Sequence, residues 1–114
     1  RVPRQGGARA FAEPPNVDDA AEQLVRLQPR AVLYAFTSSS YALGADADES
    51  LRTRLQKRTG GNPVILTCQA ATEALRMLEV HRVALIHPPW FSEEANNQGR
   101  EYFRSRGLVL FQLN

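Results

Sequence analysis

Ala31-Val32-Leu33-Tyr34-Ala35-Phe36 is an unbroken apolar run of strand length that passes directly into the hydroxyl-rich stretch Thr37-Ser38-Ser39-Ser40. A strand that is apolar at every position, rather than at every second one, is expected to be covered on both faces, as in a parallel sheet flanked by helices. Pro63-Val64-Ile65-Leu66-Thr67 and the segment Arg82 to His87 are of the same type, and Leu108 to Leu113 gives a fourth strand.

The segments between these strands carry helical spacing. Asn16 is a good N-cap, and Val17, Ala20, Ala21, Leu24, Val25 and Leu27 follow on one face until Pro29 ends the pattern. Asp18 and Asp19 stand at the positive end of that helix dipole. From about Ala47 to Arg58 a stretch of helix formers with Leu51 and Leu55 four apart reads as an exposed, charged helix that stops at Gly60-Gly61. Ala70, Ala71, Ala74, Leu75 and Leu78 mark the next helix, and Ser92 caps a last one that carries Glu93 and Glu94 in its first turn and ends at Gly107. Thr37 to Gly44 reads as a polar loop, and residues 1–15, broken by Pro3, Gly6, Gly7, Pro14 and Pro15, as a connecting loop.

The resulting order is α-β-α-β-α-β-α-β. Crossovers of about a dozen residues or more imply parallel strands with right-handed connections. The expected fold class is therefore α/β, a Rossmann- or flavodoxin-like parallel sheet with alternating helices, doubly wound or part of such a sheet. Ligands of these sheets sit beyond the carboxyl ends of the strands. That edge collects Thr37 to Tyr41, Thr67 to Gln69, and His87 to Ser92.

Composition narrows the functional classes. The 114 residues suit one ordinary domain, and 43% hydrophobic with 23% charged residues is a globular balance. The longest apolar runs fall far short of the roughly 20 residues that span a bilayer, so no membrane segment is expected. A net charge of +2 without a basic block argues against nucleic acid as a partner. Cys68 is the single cysteine, which excludes an internal disulfide and a multi-cysteine zinc site. A cytoplasmic location is the default expectation. Arg1-Val2-Pro3-Arg4 lacks the order of a secretory signal and reads as an internal boundary.

Four hydroxyls and four N–H groups after a buried strand make Thr37-Ser38-Ser39-Ser40 suited to a carboxylate or phosphate oxygen, although such hydroxyls also satisfy their own loop. The stretch is neither a P-loop nor G-x-S-x-G, since it lacks the required Gly-Lys-Ser/Thr ending and the flanking glycines. A serine nucleophile activated by His87 is a further option, with His87 as a structural histidine the plainer one. Cys68 opens a helix, where the dipole lowers a thiol pKa, so it is a candidate reactive thiol as well as a candidate packed residue. Trp90 and Phe91, after Pro88-Pro89, either wall a pocket or form a structural corner.

Three stretches together resemble the aspartate/glutamate racemase superfamily in its maleate isomerase and arylmalonate decarboxylase branch. They are Ala31 to Ser40, Gly61 to Thr67 with Ala74-Leu75, and Arg82 to Trp90 continuing through Asn96. The similarity spans roughly residues 16 to 110. It implies two similar α/β halves with a cleft between them and a chain about twice this length. Residues 16–68 would then belong to the first half and 69–114 begin the second.

The resemblance further implies a cofactor-independent isomerase, racemase or decarboxylase, with no metal and no organic cofactor, acting on a small carboxylate or dicarboxylate through an enediolate. Thr37, Ser38 and Ser40 match the turn that supplies catalytic donors, with Tyr41, Trp90 and Phe91 as candidate substrate-binding residues. Homo-oligomer formation is left open. Two positions depart from the pattern. Phe36 stands where the isomerases and racemases have their first catalytic cysteine, and the active-site tyrosine falls at Trp90 or Phe91. These departures raise the alternative of a carboxylate-binding or assembly domain without thiol chemistry.

Overall fold

A computed structural model describes residues 7–111. The elements are α1 (Gly7–Ala10), α2 (Asn16–Leu24) with a following 3-10 turn (Val25–Leu27), β1 (Val32–Tyr34), α3 (Thr37–Leu43), α4 (Ala45–Arg58), β2 (Val64–Leu66), α5 (Thr67–Met77), β3 (Arg82–Ala84), α6 (Glu93–Ser105) and β4 (Val109–Phe111). The α/β class, the parallel strands and the alternation of helices are as the sequence implied.

Pairing divides the strands. β1 and β2 form one parallel two-stranded sheet with Leu33 opposite Ile65, and β3 and β4 form another with Val83 opposite Leu110. Each sheet is built by a β-helix-β crossover, with α3 and α4 carrying the first and α6 the second. Two hydrophobic clusters follow. One holds Ala21, Val32, Leu51, Leu55, Val64 and Leu66. The other holds Tyr41, Ala45, Cys68, Tyr102, Phe103 and Leu108.

Several expectations are corrected. Of the expected loop Thr37 to Gly44, Thr37–Leu43 is helix α3, stabilised by tertiary hydrogen bonds of its serines described below, and Gly44 is its cap. Helix α4 is not an exposed element. Leu51 and Leu55 are each 1% exposed, and its arginines reach back to α2. There Arg54 makes a two-pronged pair with buried Asp18, Nε to Oδ2 at 2.6 Å and Nη2 to Oδ1 at 3.1 Å, while Arg58 meets Asp19 and Glu22. Part of the expected connecting loop is the short helix α1. α2 starts without a side-chain cap from Asn16, which is itself helical. β1 is covered on one face only, since Leu33 is 62% exposed. Ser92 caps α6 as expected, its Oγ accepting from the Ala95 N–H. The last two residues of the expected fourth strand lie outside the described residues. Among those described, no helix is long and apolar enough to cross a membrane.

Candidate functional site

The carboxyl ends of β1 and β2 open directly into α3 and α5, and the segment after β3 runs through His87 to the cap of α6. Phe36 precedes α3 with non-helical backbone, φ −138° and ψ 88°, and from Thr37 onward successive side chains rotate about 100° per residue. The four hydroxyls therefore split into two pairs. Ser39 and Ser40 are fully buried. Ser39 Oγ accepts from the Tyr34 phenol at 2.9 Å, and Ser40 Oγ donates to Asp48 Oδ1 at 2.9 Å. Thr37 and Ser38 are half-buried, and among the described residues neither side chain has a hydrogen-bond partner. The first-turn N–H groups of α3 also have no partners within the helix.

Asp48 is the centre of the buried part. It is 0% exposed and accepts from Ser40 on one oxygen and from the Tyr102 phenol on the other, at 2.6 Å. Burial raises its pKa above the ordinary carboxylate value, against the lowering effect of the hydrogen bonds from Tyr102 and Ser40. Tyr102 is raised in turn, by burial first and then by Asp48. Neither residue was singled out from sequence. A signal was present, since Asp48, Leu51 and Leu55 share one helical face, as do Gly99, Tyr102 and Phe103.

Cys68 stands at the start of α5 as expected, but its thiol points into the core. It is 2% exposed, and burial, followed by the charge of Asp48, pushes its pKa up to about 12. Of the two readings of Cys68, its burial fits the packed residue, because desolvation outweighs the dipole. Tyr41 is also buried. Its phenol shares a 3.0 Å hydrogen bond with His87 Nε2, and burial pushes its pKa up to about 12. Phe91 stacks on His87 with ring centroids 5.4 Å apart, whereas Trp90 is 81% exposed. The two aromatics after β3 therefore do different things: Phe91 is a packed corner and Trp90 faces solvent.

These contacts commit two members of the serine-hydrolase option, Ser40 and His87, to other partners. Ser40 bonds to Asp48, and His87 bonds to Tyr41 rather than to a serine. Burial and the neighbouring Arg100 hold the His87 pKa below its ordinary value, while Asn96 acts in the other direction. Phe36 packs edge-on against Phe11 at 5.3 Å and lies 6.5 Å from Tyr34. At the exit of β2, the Thr67 hydroxyl donates to the Tyr34 carbonyl at 3.4 Å, tying the two strand ends together. Among the described residues, no group of three or more His, Cys, Asp or Glu could hold a metal ion.

Two clefts flank this centre. One of about 520 Å³ lies between the α3–α4 corner and α6, with Tyr41, Asp46, Gln98 and Arg106 in its walls. The other, about 380 Å³, is bordered by β2, α5 and α6 and includes Gln69, Arg76 and Tyr102. Thr37, Ser38 and Trp90 line neither.

The paired parallel strands with helices alternating between them define an α/β protein. No protein-family model matches the chain, and no curated protein matches it. Solved structures do, and the fold is that of maleate isomerase and arylmalonate decarboxylase. The maleate isomerase Iso from Pseudomonas putida S16 superposes with a TM-score of 0.76 at 22% identity over 84% of this chain. A cysteine-to-alanine variant of that enzyme, with maleate, reaches 0.81 at 18% identity over 93%. Arylmalonate decarboxylase gives 0.73 at 26% identity over 83%. The chain spans 40 to 42% of the length of these structures.

Proposed function

We propose that this chain is part of a protein that binds a small mono- or dicarboxylate at Thr37 and Ser38 and acts on it through an enediolate, as a cofactor-independent isomerase, racemase or decarboxylase. The observation that carries this reading is the pair of uncommitted hydroxyls opening α3 directly beyond β1. Forming a carbanion next to a carboxylate spreads negative charge over two oxygens. Hydroxyl and N–H donors already fixed in place stabilise that charge without reorganising. Ser40 has no part in direct contact in this reading, since its hydroxyl is buried on Asp48. The maleate-bound isomerase and the arylmalonate decarboxylase among the structural neighbours support the substrate class.

Calorimetric titration of the intact protein with maleate and with phenylmalonate tests the reading. Thr37→Ala should weaken binding about tenfold or more, since hydrogen bonds to a charged group are worth about 1.5–3 kcal/mol. Absence of binding to either dicarboxylate, with no change in Thr37→Ala, ends it.

A second reading has its own observation. By the resemblance Phe36 stands where the isomerases and racemases have their first catalytic cysteine; it is packed against Phe11, while the thiol of Cys68 stays protonated in the core. A scaffold that binds carboxylates without turning them over fits these facts. Binding without product and without deuterium exchange at the carbon beside the carboxylate supports it over the enzyme.

A further inference from the structure

Asp48 is a carboxylate buried completely, and among the described residues it forms no ion pair. Both of its oxygens are taken by neutral donors, Ser40 of α3 and Tyr102 of α6. Burying a charge on such terms is costly, and an apolar side chain of similar size in its place is often neutral or stabilising. What the carboxylate supplies instead is geometry, because it joins three helices through two short, directional bonds.

The backbone shows what that geometry fixes. Helices α3 and α4 meet at Gly44, whose φ of +83° and ψ of 165° turn the chain between them. Gly44 N–H donates to the Ser40 carbonyl at 2.9 Å, and Asp48 N–H donates to the Gly44 carbonyl at 2.9 Å. The Ser40–Asp48 side-chain bond spans the same corner and sets the angle between the two helices. Tyr102 reaches the carboxylate from α6, so the corner is also tied to the second core. Ser40 is one helical turn beyond Thr37, so the orientation imposed on Ser40 is passed to the opening turn.

We infer that Asp48 is a positioning residue for the Thr37-Ser38 turn: through Ser40 it locks α3 against α4 and α6 and sets where the two hydroxyls stand at the end of β1. This inference rests on the carboxylate reading above, yet its mechanical part is measurable without a ligand. Asp48 and Tyr102 are buried and stand on helices other than the one that carries Thr37.

The experiment compares Ser40→Ala, Tyr102→Phe and Asp48→Asn in the intact protein. Three quantities are read: the Kd for maleate and for phenylmalonate, the Tm, and amide hydrogen exchange of residues 40–44. Ser40→Ala and Tyr102→Phe should weaken dicarboxylate binding at least tenfold at a temperature well below their Tm, and should speed exchange in α3 more than in β1 and β2. Asp48→Asn, which can still accept one hydrogen bond and donate the other, should stay within about threefold of the parent. A packing role alone lowers Tm and leaves Kd at the parental value, and that result overturns the inference. If the parent binds neither dicarboxylate, the functional reading fails, and the inference is judged on exchange alone. Parental α3 exchange in both Ser40→Ala and Tyr102→Phe then overturns it.

Discussion

At the start of α5 the Cys68 thiol is buried in the cluster of Tyr41, Tyr102, Phe103 and Leu108, and its pKa of about 12 keeps it protonated across the neutral range. Since the thiolate is the nucleophile, native protein at pH 8 should react with iodoacetamide at least ~100-fold more slowly than protein in denaturant, as followed by mass spectrometry. Equal rates would show an accessible thiol. His87 gives a pH dependence of defined sign. Its folded pKa lies below the ordinary 6.5, so the neutral ring stabilises the fold fully above pH 6.5. That contribution is lost as the pH falls from 6.5 through the folded value. Urea unfolding should therefore show the parent losing its advantage over His87→Gln between pH 7.5 and pH 5, and an advantage that grows on acidification refutes the assignment. The sequence displayed the hydroxyls of Thr37 to Ser40 as one group. Only the helical rotation of α3 separates the outward pair from the buried one, and a stretch rich in serine gives little sign of being a helix.

Among the elements, α3 and α4 were the hardest to read for a physical reason. Serine competes with its own backbone and is a weak helix former, so α3 depends on Tyr34 and Asp48, which are supplied from elsewhere in the fold. α4 carries charge around much of its surface, and its inner stripe is buried by β1, β2 and α2, the last gripped by Arg54 and Arg58. The strands were legible because short apolar runs bounded by turn residues are strand-like whichever faces are covered, and the cap at Ser92 because its chemistry is local. Two glycines position these elements by different means. At Gly44 a Cβ would meet nothing within 4 Å, so Gly44→Ala costs only backbone strain at φ +83°, about 1–3 kcal/mol. At Gly99 a Cβ would lie 2.6 Å from Tyr41 Cε2 and 2.9 Å from His87 Cε1, so Gly99→Ala costs a similar ~1–3 kcal/mol through overpacking. Denaturation should show both losses. Near-UV circular dichroism should separate them, since only Gly99→Ala displaces the Tyr41 and His87 rings. An unchanged spectrum in Gly99→Ala would contradict the packing seen here.

On the scale of the whole molecule, the two clusters meet at the α3–α4 corner, and the Asp48–Tyr102 bond ties α4, which supplies Leu51 and Leu55 to the first, to Tyr102 of the second. Alternation of elements made the fold class readable, but it does not say which strand pairs with which, so the division into two two-stranded sheets was not. Nor did it show that the outer faces are bare. Leu33 and Ile65 stand opposite each other on β1 and β2 at 62% and 42% exposure, and Val109 and Phe111 are 56% and 43% exposed on β4. An apolar run is the same string of residues whether one face or both is covered. The energetic consequence is a sharp asymmetry within a single sheet and the helix behind it. Leu51 is 1% exposed in the first cluster, so Leu51→Ala removes a packed side chain and leaves a cavity, a loss of about 2–5 kcal/mol. Leu33, apolar and in the middle of β1, forfeits little by truncation because most of its surface already meets water, and Leu33→Ala should stay within about 0.5 kcal/mol. Urea denaturation of the two variants of the 114-residue chain measures the contrast. Comparable losses would mean that the outward face of β1 is covered in solution.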